Sequence, residues 1–186
     1  IFPRYHQLDA VRALASDAKS HGAGKNYLVQ HSAGSGKSNT IAWLAHHLSN
    51  LHDDQQHAVF DSIIVITDRR VLDKQLQDTI YSMDHTSGVV VKVDKNARQL
   101  TEALADGVKI IISTLQKFPF VDVGEIATTG KRFAVIVDEA HSSQTGEASE
   151  KLKQVLADTS TAGKESEEDL LEHYAAAEAQ IEEEQL

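Results

Sequence analysis

Cysteine is absent from the 186 residues, which rules out a disulfide framework and thiolate metal sites and suits a reducing, cytoplasmic setting. No apolar run reaches the length needed to cross a bilayer, and the opening IFPRYHQ lacks the basic-then-apolar order of a secretion signal. Proline occurs only twice, and no internal repeat or low-complexity tract stands out apart from a Glu/Ala-rich end. A basic excess is missing too, since the formal charge is −10. That acidity is local: residues 1–146 carry 15 basic and 16 acidic side chains, whereas residues 147–186 carry 3 and 12. A near-neutral body neither announces nor forbids a phosphate backbone as ligand.

What is present is a hydrophobic content of 41%, enough for one sizeable core over this length. Residues 1–158 read as one domain and 159–186 as an acidic joint and helix. The stretch that organises the rest is Tyr27 to Leu48, YLVQHSAGSGKSNTIAWLAHHL. It predicts a strand over Tyr27–Val29, a small-residue loop, and a helix with Ile41, Leu44, Ala45 and Leu48 on one face. Gly34, Ser35 and Gly36 let backbone N–H groups turn around an anion while the helix aims its positive end there. Lys37 adds a point charge for β- and γ-phosphates, and the Ser38 hydroxyl is placed for Mg²⁺. The template G-x-x-x-x-G-K-[ST] has glycine where this chain has His31, so the match is one residue short.

Taken in order, Phe2–Ala18 predicts a helix with Leu8, Val11, Ala15 and Ala18 in a stripe, ending near Gly22 and Gly24. The Gln7 amide offers a donor and an acceptor that suit adenine, although a surface glutamine in a helix first turn is the commoner explanation of such a residue. Asn50–Gln56 reads as a solvated connection, and His46, His47, His52 and His57 do not read as a metal site, since adjacent histidines point to different faces of a helix and no carboxylate or thiol completes a ligand spacing. Ile63–Thr67 predicts a strand buried on both faces, followed by a helix from Arg69 carrying Leu72, Leu76, Ile80 and Met83 on one side. At their junction Thr67, Asp68, Arg69 and Arg70 occupy a strand's carboxyl end, where open α/β sheets bind ligands; Asp68 as an ordinary helix cap is the alternative. Val89–Val93 and Val108–Ser113 predict further strands around a helix over Ala97–Leu104, so parallel pairing and right-handed crossovers are expected.

Phe133–Val137 predicts the last clear strand, running into Asp138-Glu139-Ala140-His141. Paired carboxylates at the end of a buried strand are unfavourable unless a cation or a reaction uses them. Asp138 is placed to hold the Mg²⁺ that Ser38 approaches, and Glu139 to orient or deprotonate an attacking water. Leu152, Val155 and Leu156 suggest a short helix, and Ser166 with Asp169 a capping box for a final one.

These segments resemble superfamily 2 helicase-type motors, and within them the motor subunit of type I restriction enzymes. The resemblance rests on FPRYHQLDAV, VQHSAGSGKSNT, VITDRRVLDKQLQ, IISTLQKF and VIVDEAHSSQTGE in that order, over about residues 2 to 150. It implies a RecA-like α/β domain, a mostly parallel sheet between helices, using ATP and Mg²⁺. It implies Gln7 as adenine reader with Phe2 and Arg4 nearby. Gly34, Ser35, Gly36, Lys37, Ser38 and Asn39 fall in the nucleotide loop, Asp138 and Glu139 in the second motif, with His141 linking hydrolysis to movement. Thr67, Asp68, Arg69, Arg70, Ser113, Thr114 and Gln116 fall where such motors touch the DNA backbone. The implied partners are duplex DNA and the methyltransferase and specificity subunits of a restriction complex, with no membrane. The family's nuclease domain, third motif and second RecA-like domain are not in these residues, so a fragment is expected. A different motor of the superfamily, or a nucleotide-binding assembly module without motor action, are the alternative readings.

Overall fold

The computed structural model describes residues 3–32, 34–67, 74–83, 88–121, 131–138, 152 and 155–156. At its centre lie two strands, β1 (Ser62–Thr67) and, later in the chain, Ile110–Thr114. Their sequences, SIIVIT and IIIST, are apolar without alternation because both faces are covered. Ile63, Ile64, Val65, Ile66, Ile110, Ile111 and Ile112 are all fully buried. In chain order the strands are β1, β2 (Val90–Lys92), β3 (Ile110–Thr114) and β4 (Phe133–Val137). They lie side by side as β2-β3-β1-β4, every pair parallel.

Parallel neighbours need a crossover on one side of the sheet. The helices in chain order are α1 (Tyr5–His21), α2 (Lys37–Ser49), α3 (Lys74–Met83) between β1 and β2, and α4 (Ala97–Ala105) between β2 and β3. Ile63, Val65, Ile110 and Ile112 face α1 through Val11, Ala15 and Ala18, α2 through Ala42, Ala45 and Leu48, and α3 through Leu76 and Ile80. Ile64, Ile66 and Ile111 face the other way, onto Leu100 and Leu104 of α4, Phe118 of the 3-10 turn Leu115–Phe120, and Leu152 and Val155. Each large side chain buried in these layers stabilises the fold by about 1.5–3 kcal/mol. Helices on both faces of an all-parallel sheet make the α/β sandwich expected of a RecA-like domain.

Two ends of α4 show how local chemistry sets its length. Asn96 caps its start, its side chain accepting from Gln99 N. Lys131 closes its end, Nζ donating to Leu104 O at 3.0 Å and Ala105 O at 3.2 Å.

The strand expected over Tyr27–Val29 is not there. Residues 23–32 take no regular structure, and Tyr27, Leu28 and Val29 are 46%, 55% and 42% exposed. Instead the Tyr27 hydroxyl donates to Asp17 Oδ2 at 2.5 Å, which ties the segment to the flank of α1. Strand propensity in three residues has effect only where a partner strand is met. Strand β4 pairs with β1, and among the described residues nothing pairs along its other edge. The start of the helix expected from Arg69, the joint after Asp158 and the final helix lie outside the described residues, as does the proposed boundary at 158/159. Among the described residues no helix is long and apolar enough to cross a membrane.

Candidate nucleotide site

The loop before α2 is shaped by two glycines with positive φ, Gly34 at +73° and Gly36 at +89°, a region that side chains with a Cβ rarely enter. Ser35 N donates to Ser32 O at 3.2 Å, closing the turn. Gly36 sits in the N-cap position of α2, and no side chain caps the helix. The N–H groups of a helix's first turn have no acceptor inside the helix. An uncapped start of this kind is a natural place for an anion.

The carbonyls of the loop point the other way, toward α1. Gln7 Nε2 donates to Gly36 O at 3.0 Å and to Ser35 O at 3.2 Å, and His6 Nε2 lies 3.2 Å from Ser35 O. Gly36 O also receives Asn39 N at 3.1 Å and Thr40 N at 3.3 Å. With every described peptide trans, an N–H points opposite to the C=O of its own plane. Tying the Ser35 and Gly36 carbonyls to α1 and α2 therefore turns the N–H groups of Gly36 and Lys37 away from α1, as a phosphate cradle requires. Ser35 Oγ and His31 Nδ1 are sealed from solvent without a hydrogen-bond partner, a state that polar groups rarely keep unless a ligand joins them. The residues present thus fit a bound phosphate chain. Lys37, Ser38 and Asn39 form the opening turn of α2, each half-buried.

Gln7 is held more firmly than a surface glutamine. It is 2% exposed, and Arg4 N donates to its Oε1 at 2.8 Å, the returning half of a capping box at the start of α1. Both amide hydrogens and one lone pair are thereby engaged with backbone.

His31, in the slot the template gives to glycine, is half-buried and meets the His6 ring edge-on at 5.4 Å and 76°. Burial, then the neighbouring His6 and Lys37, hold its pKa below the ordinary histidine value. Neither histidine was marked by the residue patterns above as a site residue; the signals were a non-glycine in the loop and a histidine adjoining Gln7.

The second group of expected residues lies along the carboxyl edge of the sheet. Thr67 is in register with Thr114, and Ile66 with Ser113. Asp138 N donates to Ile66 O at 2.9 Å, carrying the ladder one residue past β4 and fixing Asp138 at the same edge. Thr67, Ser113 and Thr114 are buried and Gln116 is exposed. The Thr67 hydroxyl is sealed without a partner, and Ser113 Oγ donates to Thr114 O at 3.3 Å. Lys117, one residue after Gln116, donates to Val93 O at 2.8 Å, and burial lowers its pKa. Asp68, Arg69, Arg70, Glu139 and His141 lie outside the described residues.

Ser38 and Asp138 are oxygen donors of the kind Mg²⁺ takes singly, its remaining positions going to water and phosphate. Among the described residues no three or more His, Asp or Glu side chains gather into a metal cage.

Against known proteins, a family model described as SWI2/SNF2 ATPase matches residues 6–163. The match takes in Gln7, the loop, the carboxyl edge of the sheet and the Asp138 region. No curated protein matches the chain.

Proposed function

The chain belongs to the SWI2/SNF2 ATPase family, and from that premise we propose that it is the ATP-binding half of a duplex-DNA translocase in a type I restriction system. An ATP-hydrolysing, helicase-like domain is the part that family membership supplies. The restriction reading is supported by one observation, the ordered series FPRYHQLDAV, VQHSAGSGKSNT, VITDRRVLDKQLQ, IISTLQKF and VIVDEAHSSQTGE. Its partners in this reading are duplex DNA and the methyltransferase and specificity subunits.

The chemistry follows from the residues. The N–H groups of the loop and the Lys37 ammonium would take the β- and γ-phosphates, and their fixed direction avoids reorganisation as charge develops. Ser38 and Asp138 would hold Mg²⁺, which neutralises phosphate charge when bound with ATP. Glu139 would orient the attacking water and take its proton, and His141 would pass the change to the DNA contacts. Thr67, Asp68, Arg69, Arg70, Ser113, Thr114 and Gln116 would meet the DNA backbone.

The test is ATP turnover of the chain assembled with those subunits, with duplex DNA, single-stranded DNA or RNA added, alongside displacement of a third strand from a distant duplex site. Stimulation specific to duplex DNA together with third-strand displacement is expected. Stimulation by RNA alone would point to another motor of the superfamily, and no nucleic-acid response would point to an assembly module.

A further inference from the structure

We infer that His31 is a proton-linked member of the nucleotide site: its imidazole is neutral when the loop is empty and takes up a proton as a polyphosphate binds. The inference rests on the ATP-binding reading above and deepens it.

Three observations converge on this ring. His31 lies on the loop itself, three residues before Gly34. Its Nδ1 is sealed from solvent and lacks a partner. Its ring lies edge-on against His6, whose Nε2 reaches the Ser35 carbonyl, so the pair is joined to the turn before α2. Once the ring is protonated both its nitrogens are donors, and Nδ1 can then give a hydrogen bond to a phosphate oxygen.

The charges around it decide the protonation state. The titratable groups that act on His31 are His6 from α1 and Lys37 from α2, and with burial they all oppose a further positive charge. Phosphate groups arriving beside Lys37 bring several negative charges and reverse that balance. A group whose proton affinity rises on binding takes up protons, and binding tightens as pH falls through the window between its empty and bound pKa values. Glycine, which the template places here, has no such coupling.

Calorimetric titration of the chain with ADP and Mg²⁺ near pH 6.5, in two buffers of different ionisation enthalpy, counts the protons taken up. The unmodified chain should take up more protons per nucleotide than His31→Gln, the difference reaching at most about one. Its affinity should also gain several-fold more than the variant's between pH 7.5 and 5.5, since each unit of pKa change is worth tenfold. Equal proton counts with intact binding would overturn this inference and leave the ATP-binding reading standing; no binding by either protein would overturn both. Should His31→Gln fail to fold, proton resonances of the unmodified chain answer the same question. The imidazole in Overhauser contact with His6 should titrate at higher pH when ADP is bound, and an unmoved midpoint would refute the inference.

Discussion

Gln7 Nε2 and Gly36 O are 3.0 Å apart, and the contact ties the first turn of α1 to the N-cap of α2 across 29 residues of chain. Because the same amide also holds Ser35 O and receives Arg4 N, Gln7 acts on the shape of the phosphate loop whether or not it touches a base. Replacing it by alanine removes three hydrogen bonds at a buried position, an expected loss of about 1–3 kcal/mol. For a chain of this length that lowers Tm by roughly 2–4 °C per kcal/mol. We propose that the second lone pair of Oε1 meets adenine. Affinities for ATP and GTP should then both fall in Gln7→Ala, with ATP losing the larger factor in a fluorescent-nucleotide competition. Equal losses would reduce Gln7 to a strut.

Gly36→Ala brings two penalties together. At φ +89° the residue is strained by a side chain, and the new Cβ would stand 2.6 Å from Gln7 Nε2. Gly34→Ala meets only the first, since nothing lies within 4 Å of its Cβ at φ +73°. Backbone strain of this sort costs about 1–3 kcal/mol, so both variants should unfold earlier, Gly36→Ala by more. Adding Gln7→Ala should recover part of the Gly36→Ala loss and none of the Gly34→Ala loss. Purely additive melting shifts in all combinations would show that the clash is not felt.

Lys37→Ala and Glu139→Gln should separate binding from turnover. Lys37 opens α2 at the end of the loop, whereas Glu139 follows Asp138 in the chain. The first change should raise the Kd for ATP at least tenfold; the second should leave Kd within a factor of two and abolish hydrolysis. Comparable loss of nucleotide binding in both would remove the role given to Glu139.

The phenol of Tyr27 should ionise late. Burial and the bond to Asp17 push its pKa up to about 12 from 10.0, and the same bond is the foremost cause holding the Asp17 carboxyl below its usual value. Raised pKa means the protonated phenol is favoured in the fold, so its contribution is complete below pH 10 and fades as pH rises toward 12. For Asp17 the direction is opposite, and its contribution fades on acidification below the ordinary carboxylate range. Difference absorbance of tyrosinate between the chain and Tyr27→Phe measures the first effect; a midpoint near 10 would mean the bond does not persist in solution.

The strands that read cleanly from the chain were those with an uninterrupted apolar run, which is buried throughout in β1 and only partly covered in β4. Ile63–Thr67 and Phe133–Val137 were expected from composition alone and are found as Ser62–Thr67 and Phe133–Val137. Gly22 ended α1 as expected, at φ +74°. Tyr27–Val29 misled because its apolar side chains carry the same signature whether or not a neighbour pairs with them. The loop was legible through its glycines and Lys37. Its attachment to α1 was not, because a donor inventory for Gln7 or His6 does not say which carbonyls fold brings 28 or 29 positions along the chain into reach. The same holds for His31 against His6, a contact between residues 25 apart in number.

The outer edge of β4 has a bearing on how this chain behaves in the test tube. Among the described residues its backbone groups on that side meet no partner strand, Val135 at its middle is 37% exposed, and Leu28 and Val29 add further uncovered apolar surface. Such an edge is a template for another copy's strand. Light scattering should grow with protein concentration faster than for a monomer, and a lysine in place of Val135 should suppress the growth by crowding charge onto the rim. Storage dilute and on the alkaline side of the isoelectric point, where copies repel one another, is the regime in which the chain stays monodisperse.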